Sequence, residues 1–188
     1  IGFRGQVEYI RPYASTTYLP ITETLYLGGE YTIRGFDIRS IGPRDPETGL
    51  VLGGNKTLLF NAEYLINIAG PVRLVLFFDT GQVRDIGQSF VWMEDITRRV
   101  DPSQPPIIDP FTNTRLVDPT APLPYQQKIG ETNAFKTSTG AEIRFFMPVL
   151  NVPFRLIFAH NPSRTGVLDN NLQPVKEFTF KFAVGTTF

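Results

Sequence analysis

The sequence predicts an all-β fold, an antiparallel transmembrane β-barrel to which these 188 residues contribute the C-terminal part. Three observations predict it. Large apolar side chains alternate with polar or small ones along segments of about ten residues, the period of a strand with one face in lipid and the other in water. The connections between these segments alternate between short and long, as in barrels with tight turns on one rim and long loops on the other. Finally, no run of about 18 apolar residues exists. The mean hydropathy of −0.08 excludes a helical membrane protein but suits a barrel, whose inward residues are polar.

Six segments carry the alternation. In 3–13, Arg4, Gln6 and Glu8 lie on one face and Phe3, Val7 and Tyr9 on the other. In 57–68, Leu58, Phe60, Ala62, Tyr64 and Ile66 oppose Asn61 and Glu63. In 72–83, Val72, Leu74, Leu76 and Phe78 point outward, with Arg73 and Asp79 inward. Segment 134–146 sets Phe135, Ala141, Ile143 and Phe145 against Lys136, Ser138, Glu142 and Arg144, and segment 154–160 has Phe154, Leu156 and Phe158 on one side. The terminal segment, 177–188, is the clearest. Phe178, Phe180, Phe182 and Val184 are expected on the lipid-facing surface, and the aromatic Phe188 closes the chain.

The turns at 68–71 and 148–153 are short; the loops at about 14–56, 84–133 and 161–176 are long. The middle loop holds Pro102, Pro105, Pro106, Pro110, Pro119, Pro122 and Pro124, so regular structure is not expected there. Six strands are too few for a closed barrel, which needs about eight, and an open sheet exposes two edges that recruit partners. The chain has no signal peptide and Ile1 leads straight into a strand. It therefore reads as one barrel portion, residues 1–188, of a longer protein whose upstream strands complete the barrel, unless the piece pairs edge-to-edge with another copy.

Composition narrows the function. Lys and Arg total 18 against 18 Asp and Glu, so no basic field points to nucleic acid. Cysteine is absent, which removes disulfides and thiolate metal sites. The single histidine, His160, sits at a strand end beside Asn161 and Pro162 and reads as a rim residue. No Ser/His/Asp set, metal cluster or phosphate loop is present. No enzyme activity, metal or cofactor is expected.

The first long loop contains Leu27-Gly28-Gly29-Glu30-Tyr31-Thr32-Ile33-Arg34-Gly35-Phe36, then Ile41-Gly42-Pro43. Gly53-Gly54-Asn55, Ala62-Glu63-Tyr64 and Phe78-Asp79-Thr80-Gly81 follow, and the series ends with Gly185 and Phe188. With these motifs the chain resembles the BamA-type outer-membrane insertase family, in the superfamily that also includes two-partner secretion translocators. The resemblance covers essentially the whole chain and implies the last six of roughly sixteen strands; the Pro-rich loop matches least. It also implies that the loop carrying Ile33, Arg34, Gly35 and Phe36 folds back into the lumen. Glu63 and Asp79 face inward on adjacent strands, where two carboxylates repel and are costly to desolvate without a cation between them. Arg34, with five donors in a planar fork, can serve both, and the resemblance implies that it does. Gly35 lets the tip turn, and Phe36 is expected beside the pair. Arg73, Lys136, Glu142, Arg144, Arg155 and Lys181 are read as hydrated lining with no individual role.

Gly185 is expected to kink the terminal strand near the barrel seam. In the family that strand pairs with the barrel's first strand, the seam opens laterally, and a client's strand is templated on the exposed edge, a form of β-augmentation. The resemblance implies insertion of client β-barrel proteins into a bacterial outer membrane. The implied partners are the lipid bilayer, client outer-membrane proteins and accessory lipoproteins. Three other readings stay open: a two-partner secretion or related translocating pore, a passive porin, and a soluble β-sandwich binding module. Ile41-Gly42-Pro43 and Gly53-Gly54-Asn55 favour the insertase.

Overall fold

A side chain every second residue on one face is enough to define a strand that borders two different media. The computed structural model describes residues 1–13, 19–45, 48–100, 125–147 and 152–185. Its strands are β1 (Gly2–Tyr9), β2 (Lys56–Ala69), β3 (Val72–Arg84), β4 (Met93–Val100), β5 (Tyr125–Asn133), β6 (Lys136–Met147), β7 (Val152–His160) and β8 (Phe178–Val184). Six of them form one sheet in the order β1-β2-β3-β6-β7-β8, antiparallel at every pairing. No helix occurs among the described residues.

The parity expected from the sequence sets the two faces. Phe178, Phe180 and Phe182 are all more than half exposed on the outer face, and Phe3, Tyr64 and Phe158 join them there. Their rings pair across strands. Phe158 and Phe180 lie 5.0 Å apart, Phe154 and Phe182 5.8 Å, and Phe3 and Phe60 6.2 Å. Such an apolar band is stable when it faces hydrocarbon. The opposite, inward face buries Leu59, Asn61, Glu63, Val75, Phe77, Asp79, Ser138, Glu142, Arg155, Ile157 and Ala159. Among the described residues β1 and β8 are the outermost strands of this sheet.

Two expectations require correction. The connection between β3 and β6 is not wholly irregular, because β4 and β5 form an antiparallel hairpin outside the main sheet. Neither strand alternates cleanly, since polar contacts hold the hairpin instead of one buried face. The Glu94 carboxylate accepts from Arg84 Nη1 at 3.0 Å and from Lys136 Nζ at 2.8 Å. The Trp92 ring packs on Phe135 at 5.1 Å. The Pro-rich stretch, 101–124, lies outside the described residues, as do the turn at 148–151 and Phe188. Strand limits also differ: β1 stops at Tyr9 and β8 at Val184, where Gly185 adopts φ 119°.

The described residues between β1 and β2 build a loop with a paired stem. Leu25 bridges Gly54, Leu27 bridges Ile41 and Arg44 bridges Val51. The Ile41-Gly42-Pro43 and Gly53-Gly54-Asn55 motifs therefore build the stem, and Asn55 ties it to the sheet through N–H donation to the Arg84 carbonyl at 2.9 Å. From this stem the tip, 28–36, lands on the inward face. Leu27, Ile33, Phe36 and Ile41 of the loop share one apolar cluster with Leu59, Val83, Val167 and Val175.

Candidate functional site: the docked arginine loop

Small inward side chains make room for the tip. Across the sheet, Phe77 of β3 faces Gly140 of β6, and Gly140 faces Ala159 of β7. Gly35 at the tip has φ 89°, a left-handed backbone that side-chain-bearing residues adopt only with strain. A Cβ on Gly35 would stand 2.7 Å from the Ala159 Cβ and inside contact distance of Asn161 Oδ1. The Gly35 carbonyl accepts from Thr179 Oγ1 at 3.1 Å. Gly35→Ala is expected to undock the tip: left-handed strain alone costs about 1–3 kcal/mol, and the contacts with Ala159 and Asn161 add to it. The check is protease cleavage near Arg34 in the full-length variant, which should exceed wild type while heat-modifiable mobility of the barrel is retained.

Arg34 is 1 % exposed. Its Nε and Nη2 donate to Asp79 Oδ2 and Oδ1, both at 2.7 Å, a bidentate fork. Nη1 donates to Glu63 Oε1 at 2.6 Å and to Glu142 Oε2 at 3.0 Å. The backbone N–H of Arg34 adds a bond to Asp79 Oδ2 at 3.1 Å. Asn61 Nδ2 ties Asp79 Oδ1, at 2.8 Å, to the Thr32 carbonyl, at 2.7 Å. Burial pushes the Arg34 guanidinium toward lower pKa, but the hydrogen bond and charge of Asp79, with Glu63 and Glu142, hold it above its ordinary value. The guanidinium carbon lies 4.0 Å over the Phe77 ring, so the stacking partner is Phe77. Phe36, expected beside the pair, instead fills the apolar cluster behind it.

The structure brings Arg34, Glu63 and Asp79 together, and the cluster is larger than these three. Glu142 is fully buried and also accepts from Arg144 Nε at 2.6 Å and Arg155 Nε at 2.7 Å. Arg144 Nη2 reaches Glu63 Oε1 at 2.8 Å. Arg155 Nη2 donates to the Glu30 carbonyl at 3.2 Å, binding the loop a second time. Three guanidinium groups thus meet three carboxylates, and the net charge is zero. A buried cluster that is balanced and hydrogen-bonded avoids the large penalty of an isolated buried charge.

Reading Glu142, Arg144, Arg155, Lys136 and Lys181 as hydrated lining was therefore wrong. Glu142, Arg144 and Arg155 belong to the cluster, Lys136 to the hairpin anchor, and Lys181 to the loop, as described below. Arg73 differs: it is exposed, with its guanidinium 5.2 Å over Phe146. His160 is a rim residue, stacked on Phe178 at 4.8 Å with Nε2 3.2 Å from Glu177 Oε1. Among the described residues no group of three or more His, Cys, Asp or Glu side chains is arranged to hold a metal ion.

An Omp85 superfamily domain matches residues 1–188, the whole chain. The chain belongs to the Omp85 superfamily. Within this Omp85 domain, 84 residues are 37 % identical to the outer membrane protein assembly factor BamA of Nitratidesulfovibrio vulgaris, covering 44 % of the chain. Another 36 % identity over 89 residues, 43 % of the chain, links it to the BamA of Neisseria meningitidis serogroup B. In each case the match spans 11 % of the relative's length. The fold is similar to that of Haemophilus ducreyi BamA lacking POTRA domains 1–3, with TM-score 0.58 and 17 % identity over 97 % of this chain and 30 % of that one.

Proposed function

We propose that this Omp85 domain is the C-terminal part of the barrel of an outer-membrane insertase, which folds and inserts β-barrel proteins into the bacterial outer membrane. The observation that carries the reading is the docked loop. A passive pore has no need to fill its concave wall with a neutral cluster of three arginines and three carboxylates. On this reading 1–188 is one unit, preceded by the strands that complete a barrel of roughly sixteen.

The chain's own geometry supplies the parts. Its outer aromatic band anchors it in the bilayer. The loop and cluster stiffen the middle of the wall across β2, β3, β6 and β7, leaving the terminal strand β8 as the softer edge. An edge strand offers unpaired N–H and C=O groups on which an incoming client strand can pair. Within lipid such groups must be satisfied, so pairing there is strongly favoured. The work is strand pairing and apolar burial, without bond chemistry. Client outer-membrane proteins and accessory lipoproteins are the partners. The test is assembly of an unfolded client barrel by the full-length protein in liposomes. Faster client folding than in protein-free liposomes is expected. A rate equal to lipid alone, or export of a passenger without insertion, would overturn the reading.

A further inference from the structure

Lys181 takes no part in the arginine cluster, yet it is bound to the same loop. From the inward face of β8 its Nζ donates to the Phe36 carbonyl at 2.6 Å and to Asp37 Oδ1 at 2.7 Å. Thr179, one inward position earlier, donates to the Gly35 carbonyl. The acceptors are the three residues that directly follow Arg34, so these bonds exist only while the tip is docked. Asp37 extends the connection, because its Oδ2 accepts from the Asn170 N–H at 3.1 Å in the loop between β7 and β8. Burial pushes the Asp37 carboxyl up, but Lys181 and the Asn170 N–H outweigh it and hold the pKa below the usual carboxylate range.

Terminal strand β8 has seven residues and, among the described residues, pairs with β7. Gly185 follows it, and a Cβ there would lie 3.3 Å from the Tyr31 hydroxyl of the same loop. The loop also reaches the opposite end of the sheet, where Arg4 Nη1 donates to the Tyr31 carbonyl at 2.9 Å. One loop segment, 31–37, therefore touches β1 and β8 together.

We propose that Lys181, with Thr179 beside it, is a positioning residue that fastens the terminal strand β8 to the docked loop, so that β8 frees its inward face when the loop lets go. The loop is then a strut between the central wall and the edge strand. An inward face with only apolar or solvated side chains would leave β8 indifferent to docking. Two hydrogen-bond donors aimed at consecutive loop carbonyls make it dependent. The consequence for client assembly rests on the insertase reading; the fastening itself does not.

The experiment is hydrogen exchange by mass spectrometry on the full-length protein in phospholipid nanodiscs, comparing wild type with Lys181→Met. Methionine keeps length and apolar packing but removes the charge and donors. Peptides over 178–184 should exchange about tenfold faster, while those over 57–63 and 76–82, which report the cluster, stay at the wild-type rate. Lys181→Arg, which keeps a donor, should restore most of the protection. A β8 rate less than about threefold above wild type, or an equal rise in all three regions, overturns the proposal. If Lys181→Met fails to fold, Asp37→Asn decides by the same criteria, because it alters the loop and leaves every strand intact. Failure of the insertase reading would appear separately, as a wild-type protein that assembles no client.

Discussion

Arg34→Ala will release the loop and leave the strands in place. The substitution removes the fork that binds Asp79 and the contacts to Glu63 and Glu142. Three carboxylates then face two guanidinium groups in a buried wall. Removing one partner of a buried ionic group costs about 3–5 kcal/mol, which raises the undocked fraction of the loop roughly a hundredfold to several thousandfold. The six strands of the sheet do not depend on Arg34 for their backbone pairing, so heat-modifiable mobility should persist. Protease should cut near residue 34, and client assembly in liposomes should fall. Arg34→Lys should recover part of both, since an ammonium binds one carboxylate oxygen at a time and lacks the planar fork. An Arg34→Ala loop as protected as wild type would remove Arg34 as the docking anchor.

The sheet was legible because its strands border lipid on one side and a polar interior on the other. That boundary forces period-2 alternation, and Phe178, Phe180 and Phe182 report it directly. Arg34, Glu63 and Asp79 were legible for another reason: the loop motif supplied the arginine, and strand parity supplied two acids with no other cation assigned. The β4–β5 hairpin was not legible, because its strands are held by Glu94, Arg84 and Lys136 rather than by a buried apolar face. Parity placed Glu142, Arg144 and Arg155 inward but could not say whether water or protein would meet them. A signal was available in the register. Arg144 and Arg155 face each other across β6 and β7, and like charges at directly opposed positions destabilise a sheet. An acid close to both is required, and Glu142 is the inward neighbour two residues from Arg144. Only the docked loop, which excludes water from that wall, turns this requirement into a buried cluster. The same exclusion separates Lys181 from a solvated lysine, since its acceptors are loop carbonyls that no strand pattern can announce.

Glu142→Gln should be nearly as damaging as Arg34→Ala, and in a different place. The carboxylate accepts from three arginines at once, Arg34, Arg144 and Arg155. A glutamine keeps the shape but has one acceptor oxygen, and its amide N–H groups point at donors. Three guanidinium groups then share two carboxylates, again at a cost of about 3–5 kcal/mol. The loss falls on the pairing of β6 with β7 as well as on the loop, so exchange protection over 152–160 should drop together with loop protection. In Arg34→Ala it should fall chiefly at the loop and at β8, which the docked loop fastens. Charge balance makes the two sites interdependent: Arg34→Met removes one positive charge, Glu142→Gln one negative charge, and the double variant returns the cluster to two against two. Urea unfolding of the single and double variants should therefore show the double less destabilised than the sum of the singles, by about 0.5–3 kcal/mol. Strict additivity would mean that the three arginines and three carboxylates act as separate pairs, and that the cluster's neutrality contributes nothing to holding the loop.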